Sequence, residues 1–255
     1  MKGHIPLILV SNDDGYMAKG FEELIHAVKP LGEIIAMAPA RPRSASGCSL
    51  TMNVPVNYKL RYQEPGISIY SCSGTPADCT KLALHTVCDR MPDLIISGIN
   101  HGDNSSINAH YSGTMSVVFE GCMKGIPSIG FSLRTDNLDA DFTPTLPYIY
   151  FICESVLKKG LPQNVCLNVN FPEAQNLKGI RICRQGEGTW INEWEQTSRR
   201  GDNKYFWMAG DFIETHPEQE DTDLWALRHG YASVVPLTID LTAYRSMSNI
   251  SRLFT

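Results

Sequence analysis

No stretch of this 255-residue chain approaches the roughly 20 consecutive apolar residues that a membrane helix needs. The apolar run Ile5 to Val10 is too short for the core of a secretion signal, and it ends in Ser11-Asn12-Asp13-Asp14 rather than at a small-residue cleavage site. A cytoplasmic protein without membrane contact is the expectation. The eight cysteines contain no Cys-x-x-Cys pair, and several sit inside apolar runs such as Val165-Cys166-Leu167. Buried free thiols are therefore expected instead of a disulfide framework. Nor is positive charge concentrated: 22 Lys and Arg stand against 27 Asp and Glu, for a formal net charge of -5. Only Arg41 with Arg43 and Arg199 with Arg200 form tight groups, which excludes a face for duplex nucleic acid but leaves room for a small phosphorylated substrate. Internal repeats and low-complexity segments are missing as well. What remains, 43% hydrophobic and 19% charged residues with a mean hydropathy of -0.16, is the balance of a folded soluble protein.

The first part of the chain alternates strand and helix patterns. Ile5–Val10 is continuously apolar, as a parallel strand covered on both faces must be. Phe21, Leu24, Ile25 and Val28 then recur at helical spacing. Glu33–Ala38, Leu94–Ser97, Ile129–Ser132 and Val165–Val169 read as further strands. Pro55–Tyr62 and Ile67–Cys72 are two more, split by the turn signal Glu64-Pro65-Gly66. Thr75-Pro76-Ala77-Asp78 opens a helix with a hydroxyl at the cap, proline first and an acid third. Met115–Lys124 and Tyr148–Lys159 follow as helices. This alternation predicts an open, mostly parallel sheet with helices on both faces, an α/β three-layer sandwich of Rossmann-like type.

After about Gly186 the pattern changes. Trp190, Trp194, Tyr205, Phe206 and Trp207 flank the polar turn Arg199-Arg200-Gly201-Asp202-Asn203, which predicts a long hairpin arm. A short helix over Asp221–Arg228 and a strand over Tyr231–Pro236 complete the chain. The expected division is an α/β core over residues 1–185, followed by an arm and C-terminal segment over 186–255 that is not an independent domain.

Ligands of open parallel sheets bind beyond the carboxyl ends of the strands, so the loops there carry the chemistry. Three are rich in oxygen donors: Ser11-Asn12-Asp13-Asp14-Gly15, Ala40-Arg41-Pro42-Arg43-Ser44-Ala45-Ser46-Gly47, and Gly98-Ile99-Asn100-His101-Gly102-Asp103-Asn104. Adjacent carboxylates at Asp13 and Asp14 repel, and a shared cation relieves that repulsion. Oxygen donors without thiolate or imidazole suit Mg, Mn or Ca. Taken alone, the Asp-Asp pair reads more simply as a plain strand-to-helix connection with a capping acid. Tyr111-Ser112-Gly113-Thr114 opens a helix with two hydroxyls and a glycine, a good seat for phosphate or an ordinary cap. His101 and His110 lie near the same edge, and His85 sits on a helix as a structural residue.

Taken together, Ser11-Asn12-Asp13-Asp14-Gly15, Ser97-Gly98-Ile99-Asn100-His101-Gly102-Asp103-Asn104 and Tyr111-Ser112-Gly113-Thr114 resemble the SurE family. Leu167-Asn168-Val169-Asn170-Phe171-Pro172 and Thr222-Asp223 through Gly230-Tyr231 resemble its later signatures, so the likeness spans the chain. Members of that family are stationary-phase survival proteins acting as metal-dependent 5'-nucleotidases and acid phosphatases. The resemblance implies one divalent cation per subunit, Mg or Mn, held by Asp13, Asp14, Ser44 and Asn100. It places Asn104, Ser112, Gly113 and Thr114 on the phosphate side and makes Asp13 the catalytic residue, with water or the carboxylate itself as nucleophile. Ser44 is chosen over Ser46 because the family pattern runs Ser, two residues, Gly. One departure is the bulky Met115-Ser116-Val117-Val118-Phe119, where the family usually has Val and small residues.

The expected function is hydrolysis of nucleoside 5'-monophosphates to nucleoside and phosphate, with 3'-nucleotides and short polyphosphate as further substrates. The resemblance also implies a homodimer or homotetramer assembled through exchanged C-terminal segments. The alternative is a non-catalytic receiver-like module binding Mg and phosphate, which also has an acidic pair after its first strand. It would be about half this length and has no use for the Asn-rich loop or the arm.

Overall fold

The computed structural model describes residues 4–200 and 203–254. A nine-stranded sheet runs through it. Its first strands are β1 (Leu7–Ser11), β2 (Glu33–Pro39), β3 (Tyr58–Glu64), β4 (Ile67–Cys72), β5 (Leu94–His101), β6 (Ser128–Arg134) and β7 (Val165–Pro172). The sheet is completed by β8 (Ile180–Ile182) and, near the C-terminus, β13 (Ala232–Thr238), in the order β3-β4-β2-β1-β5-β6-β7-β13-β8. The six strands from β4 to β7 are parallel. β3 pairs antiparallel on one edge, and β13 pairs antiparallel with β7 near the other. This is the expected Rossmann-like α/β sandwich.

Helices α1 (Lys19–Val28) and α4 (Leu146–Lys159) cover one face, and α2 (Pro76–Thr86) and α3 (Gly113–Met123) the other. The period of two along a strand sorts the side chains between these layers. Ile8 and Val10 pack with Phe21, Leu24 and Ile25 of α1, whereas Leu9 packs with Cys79, Ala83 and Val117 of the opposite helices. A strand buried on both sides needs apolar residues at every position, which is why β1 is a continuous run. The predicted start of α2 is a full capping box: Thr75 accepts from the Asp78 amide, and Asp78 returns a carboxylate to the Thr75 amide. The bulky Met115, Val117 and Val118 are fully buried. A Cβ on Gly130 would lie 2.7 Å from Met115 Sδ and 3.2 Å from Val118 Cγ2, so an absent side chain on β6 makes room for them. Their bulk is spent inside the core.

All eight cysteines are free, and six of them are buried. The predicted hairpin is two paired units. β9 (Gly188–Ile191) pairs with β12 (Asp211–Glu214) at the base, and β10 (Trp194–Arg200) with β11 (Asn203–Met208) at the tip. Gly201 and Asp202 of the expected turn lie outside the described residues. Beyond them, α5 (Asp223–Arg228) is fastened by Asp223, whose buried carboxylate accepts from the amides of Ser106, Gly186 and Leu224. A short helix α6 (Met247–Ser251) lies in an exposed tail.

Candidate active site

At the carboxyl end of β1 the chain leaves the sheet through Asn12, whose side chain both accepts from the Gly15 amide (3.1 Å) and donates to the Gly15 carbonyl (3.0 Å). Gly15 has φ of 99°, a left-handed conformation that glycine adopts freely. This closed turn lets two consecutive acids work on the same edge. Asp13 keeps the parity of Leu9 and Ser11 and so emerges on the α3 side, where Thr114 Oγ1 donates to its Oδ1 at 2.6 Å. Asp14 reaches across to the end of β5, where its Oδ2 accepts from the His101 amide at 3.1 Å.

Asp13 is 4% exposed. Burial, then the charge of Asp14, push its carboxyl up to about 6, against the pull of the Thr114 hydroxyl and amide. Burial also raises Asp14, with the His101 amide working the other way. Two desolvated like charges with only hydrogen-bond donors around them form a site that gains from a cation.

The remaining predicted ligands sit on the two neighbouring loops. The Arg43 amide donates to the Asp13 carbonyl at 2.7 Å, which brings the second loop, with exposed Ser44, alongside the acids. Ser46, on the same loop, has a buried Oγ with no partner among the described residues. Asn100, half-buried at the end of β5, donates its amide nitrogen to the Gly102 carbonyl at 2.8 Å, which leaves Oδ1 available to an incoming cation. The donor set is thus two carboxylates, a hydroxyl and a carboxamide. No cluster of three or more His, Cys, Asp or Glu able to hold a metal exists among the described residues. Such oxygen donors fit a hard divalent cation of the Mg or Mn type.

The predicted phosphate turn has a more specific job than close approach of a ligand. Ser112 is the cap of α3, accepting from the Met115 amide at 3.0 Å, and Thr114 is bonded to Asp13. A Cβ on Gly113 would lie 2.6 Å from Asp13 Cβ and 2.8 Å from its Oδ2. The glycine therefore makes room for the acid. The Thr114 amide bonds Asp13 and the Met115 amide bonds Ser112 Oγ, so what the turn offers an anion is the Gly113 amide and the positive dipole end of α3. Asn104 is buried in a polar network: its amide donates to Asn170 Oδ1 (2.8 Å), its Nδ2 to Ser132 Oγ (2.8 Å), and its carbonyl accepts from Asn168 Nδ2 (2.8 Å). His101 is committed to the Asn137 carbonyl through Nε2, while His110 and His85 are exposed.

Ser132, Asn168 and Asn170 were not among the predicted site residues. The signal was present: three amide or hydroxyl side chains inside otherwise apolar strand runs must find buried partners. Their spacing alone did not say that the partner is the loop from 98 to 104.

Comparison with known proteins places the chain in a family. The family model described as "Survival protein SurE" matches residues 8–192. A protein named 5'-nucleotidase SurE from Bacteroides thetaiotaomicron is 57% identical over 244 residues, covering 96% of this chain and 94% of its own. Another of that name, from Flavobacterium psychrophilum, is 45% identical over 249 residues and 96% of each chain. The crystal structure of the SurE protein from Aquifex aeolicus superposes with a TM-score of 0.84 at 36% identity, covering 98% of this chain and all of that one.

Proposed function

The chain belongs to the SurE family, and from that membership and the paired acids of its central edge we propose that Asp13, Asp14, Ser44 and Asn100 form the metal and catalytic centre of a 5'-nucleotidase. The enzyme is a metal-dependent phosphomonoesterase, and the non-catalytic receiver-like alternative falls with that assignment. The carrying observation is the buried carboxylate of Asp13 beside the half-buried Asp14, among oxygen donors near the start of α3. A bound divalent cation, Mg or Mn, supplies Lewis-acid neutralisation of phosphoryl oxygen charge.

The protein's own residues do the rest. Asp13, held by Thr114 and cleared by Gly113, is fixed against the phosphoryl group and is either the nucleophile or the group that orients water. The Gly113 amide and the positive end of α3 are preorganised for the oxygens that gain charge in the transition state. Asn104, tied to two strands, keeps the third loop at a fixed height above the sheet. Nucleoside 5'-monophosphates are the main substrates, with 3'-nucleotides and short polyphosphate accepted at the same centre. Phosphate release from AMP with Mg or Mn tests this. Release abolished by EDTA and restored by excess cation is expected, and turnover persisting in thoroughly chelated protein refutes it.

The same reading extends to assembly and place. The α/β core of residues 1–185 carries the chemistry, and 186–255 serves association into a homodimer or homotetramer. Support comes from the exposed apolar side chains of Trp194, Trp207 and Met208 on the arm and Leu241, Leu253 and Phe254 on the tail, more than a lone subunit gains by exposing. No helix among the described residues is long and apolar enough to cross a membrane; a cytoplasmic place is part of the proposal.

A further inference from the structure

Asn108 lies in a short 3-10 turn, Ser106–His110, between the two loops of the site. Its Nδ2 donates to Asp103 Oδ1 at 3.3 Å, on the loop that carries Asn100 and Asn104. Its carbonyl accepts from the Tyr111 amide at 3.0 Å, one residue before the cap of α3. Its other side-chain polar atom, Oδ1, accepts from Trp190 Nε1 at 2.9 Å, and Trp190 belongs to β9 at the base of the arm. Asp103 in turn is fixed by the Ser105 amide and hydroxyl (3.0 and 2.8 Å) and by Arg134 Nε at 3.3 Å. A half-buried tryptophan held edge-on to Phe212, with ring centroids 5.5 Å apart, is a stiff post rather than a mobile side chain. The core thus receives one directed hydrogen bond from the arm at the residue that touches both site loops.

We infer that Trp190 and Asn108 are positioning residues for the phosphatase reaction: the arm, through Trp190 Nε1, Asn108 and Asp103, sets the height of the loop that carries Asn100. The inference rests on the nucleotidase reading. Neither residue belongs to the proposed metal or phosphate set, so their loss should act on the reaction step while AMP binding stays nearly unchanged. Outer partners of metal ligands typically govern about 10–100-fold in affinity or activity, and the relay acts through one further bond. Trp190→Phe keeps the ring against Phe212 and removes only the N–H. It is expected to lower kcat for AMP by roughly three- to tenfold with KM within about twofold, and to weaken Mn binding measured by calorimetry by a similar factor. Asn108→Asp keeps an acceptor for Trp190 but breaks the link to Asp103, so it should lose at least as much. The double variant should be no worse than Asn108→Asp alone, because both changes cut one chain. Wild-type kcat and Mn affinity in either single variant, or losses that multiply in the double, would overturn the relay. So would a loss matched by the fraction unfolded in a thermal melt. Wild-type protein inactive on AMP would instead remove the nucleotidase reading, and the Mn titration would still decide whether Trp190 reaches the loop.

Discussion

Replacing Gly113 by alanine probes the site at its tightest point. The added Cβ would start 2.6 Å from Asp13 Cβ, whereas carbon atoms in contact sit roughly 3.5–4.0 Å apart. About 1 Å must be made up, and neither side gives easily. Asp13 Cβ is bonded directly to the backbone of a loop closed by Asn12 and Gly15, and Gly113 is the first residue of α3. The Asp13 carboxylate is the group displaced, and a misplacement of about 1 Å at a reacting group costs on the order of 100-fold in rate. Folding is affected less: crowding of about 1–3 kcal/mol is partly offset by the roughly 1 kcal/mol that alanine gains over glycine in a helix. Initial rates on AMP and on glycerol phosphate should therefore fall together by about 100-fold in kcat/KM. Circular dichroism and a thermal melt should show a folded protein. Activity within about threefold of wild type would refute the argument, since Asp13 could not then sit against the start of α3. A loss confined to one nucleobase would place the base at this turn instead.

Other substitutions read out the remaining features. Asp14→Asn should abolish turnover yet melt no lower than wild type in EDTA, because it removes one of two like charges buried together; a clear drop in melting temperature would contradict that electrostatics. Ser44→Ala should weaken Mn binding by calorimetry, and an unchanged affinity would move the hydroxyl ligand to Ser46. Asp93, despite partial burial, is held at about 2 by the Leu7 amide, Arg90 and His4. A depressed acid contributes stability above its unfolded value of 3.8 and loses it as pH falls towards 2, so Asp93→Asn should lower the melting temperature by roughly 2–4 °C at neutral pH and converge with wild type near pH 2. Parallel melts that never converge would refute it. Deleting Trp190 to Trp207 with a glycine bridge should give a smaller species by light scattering with the sheet intact, and retention of the full oligomer would place the interface elsewhere.

Several features were legible in the residues because their causes are local. A run apolar at every position marks a strand buried on both faces, as β1 is. Thr75, Pro76 and Asp78 satisfy the first amides of α2 from within four residues, so that helix start was readable without its neighbours. The acids at Asp13 and Asp14 and the hydroxyls of Ser112 and Thr114 stood out because oxygen-rich segments follow strands at the edge where open parallel sheets bind ligands, although each is also an ordinary connection or cap. Their assignment as ligands and phosphate contacts came from the resemblance of several motifs to those of the SurE family.

The tertiary structure decided which of these groups meet. Thr114 is 101 residues from the Asp13 it bonds, and the His101 amide is 87 residues from Asp14. Those contacts exist because β5 adds beside β1 and α3 returns over the pair, a consequence of strand order that no local spacing encodes. The role of Gly113 changed for the same reason, since only the folded neighbourhood shows that its missing side chain faces Asp13. Asn104 likewise looks like a ligand in the sequence, and only the adjacent strands show it held by Ser132, Asn168 and Asn170. The C-terminal strand β13, inserted between β7 and β8 antiparallel to the first and parallel to the second, and Trp190 reaching Asn108 belong to the same class. Sequence alone determined the elements and the kind of chemistry, because propensity, capping and donor type act over a few residues. Which donors share a point in space was set by long-range packing, in which each strand's place depends on the faces that all the others must bury.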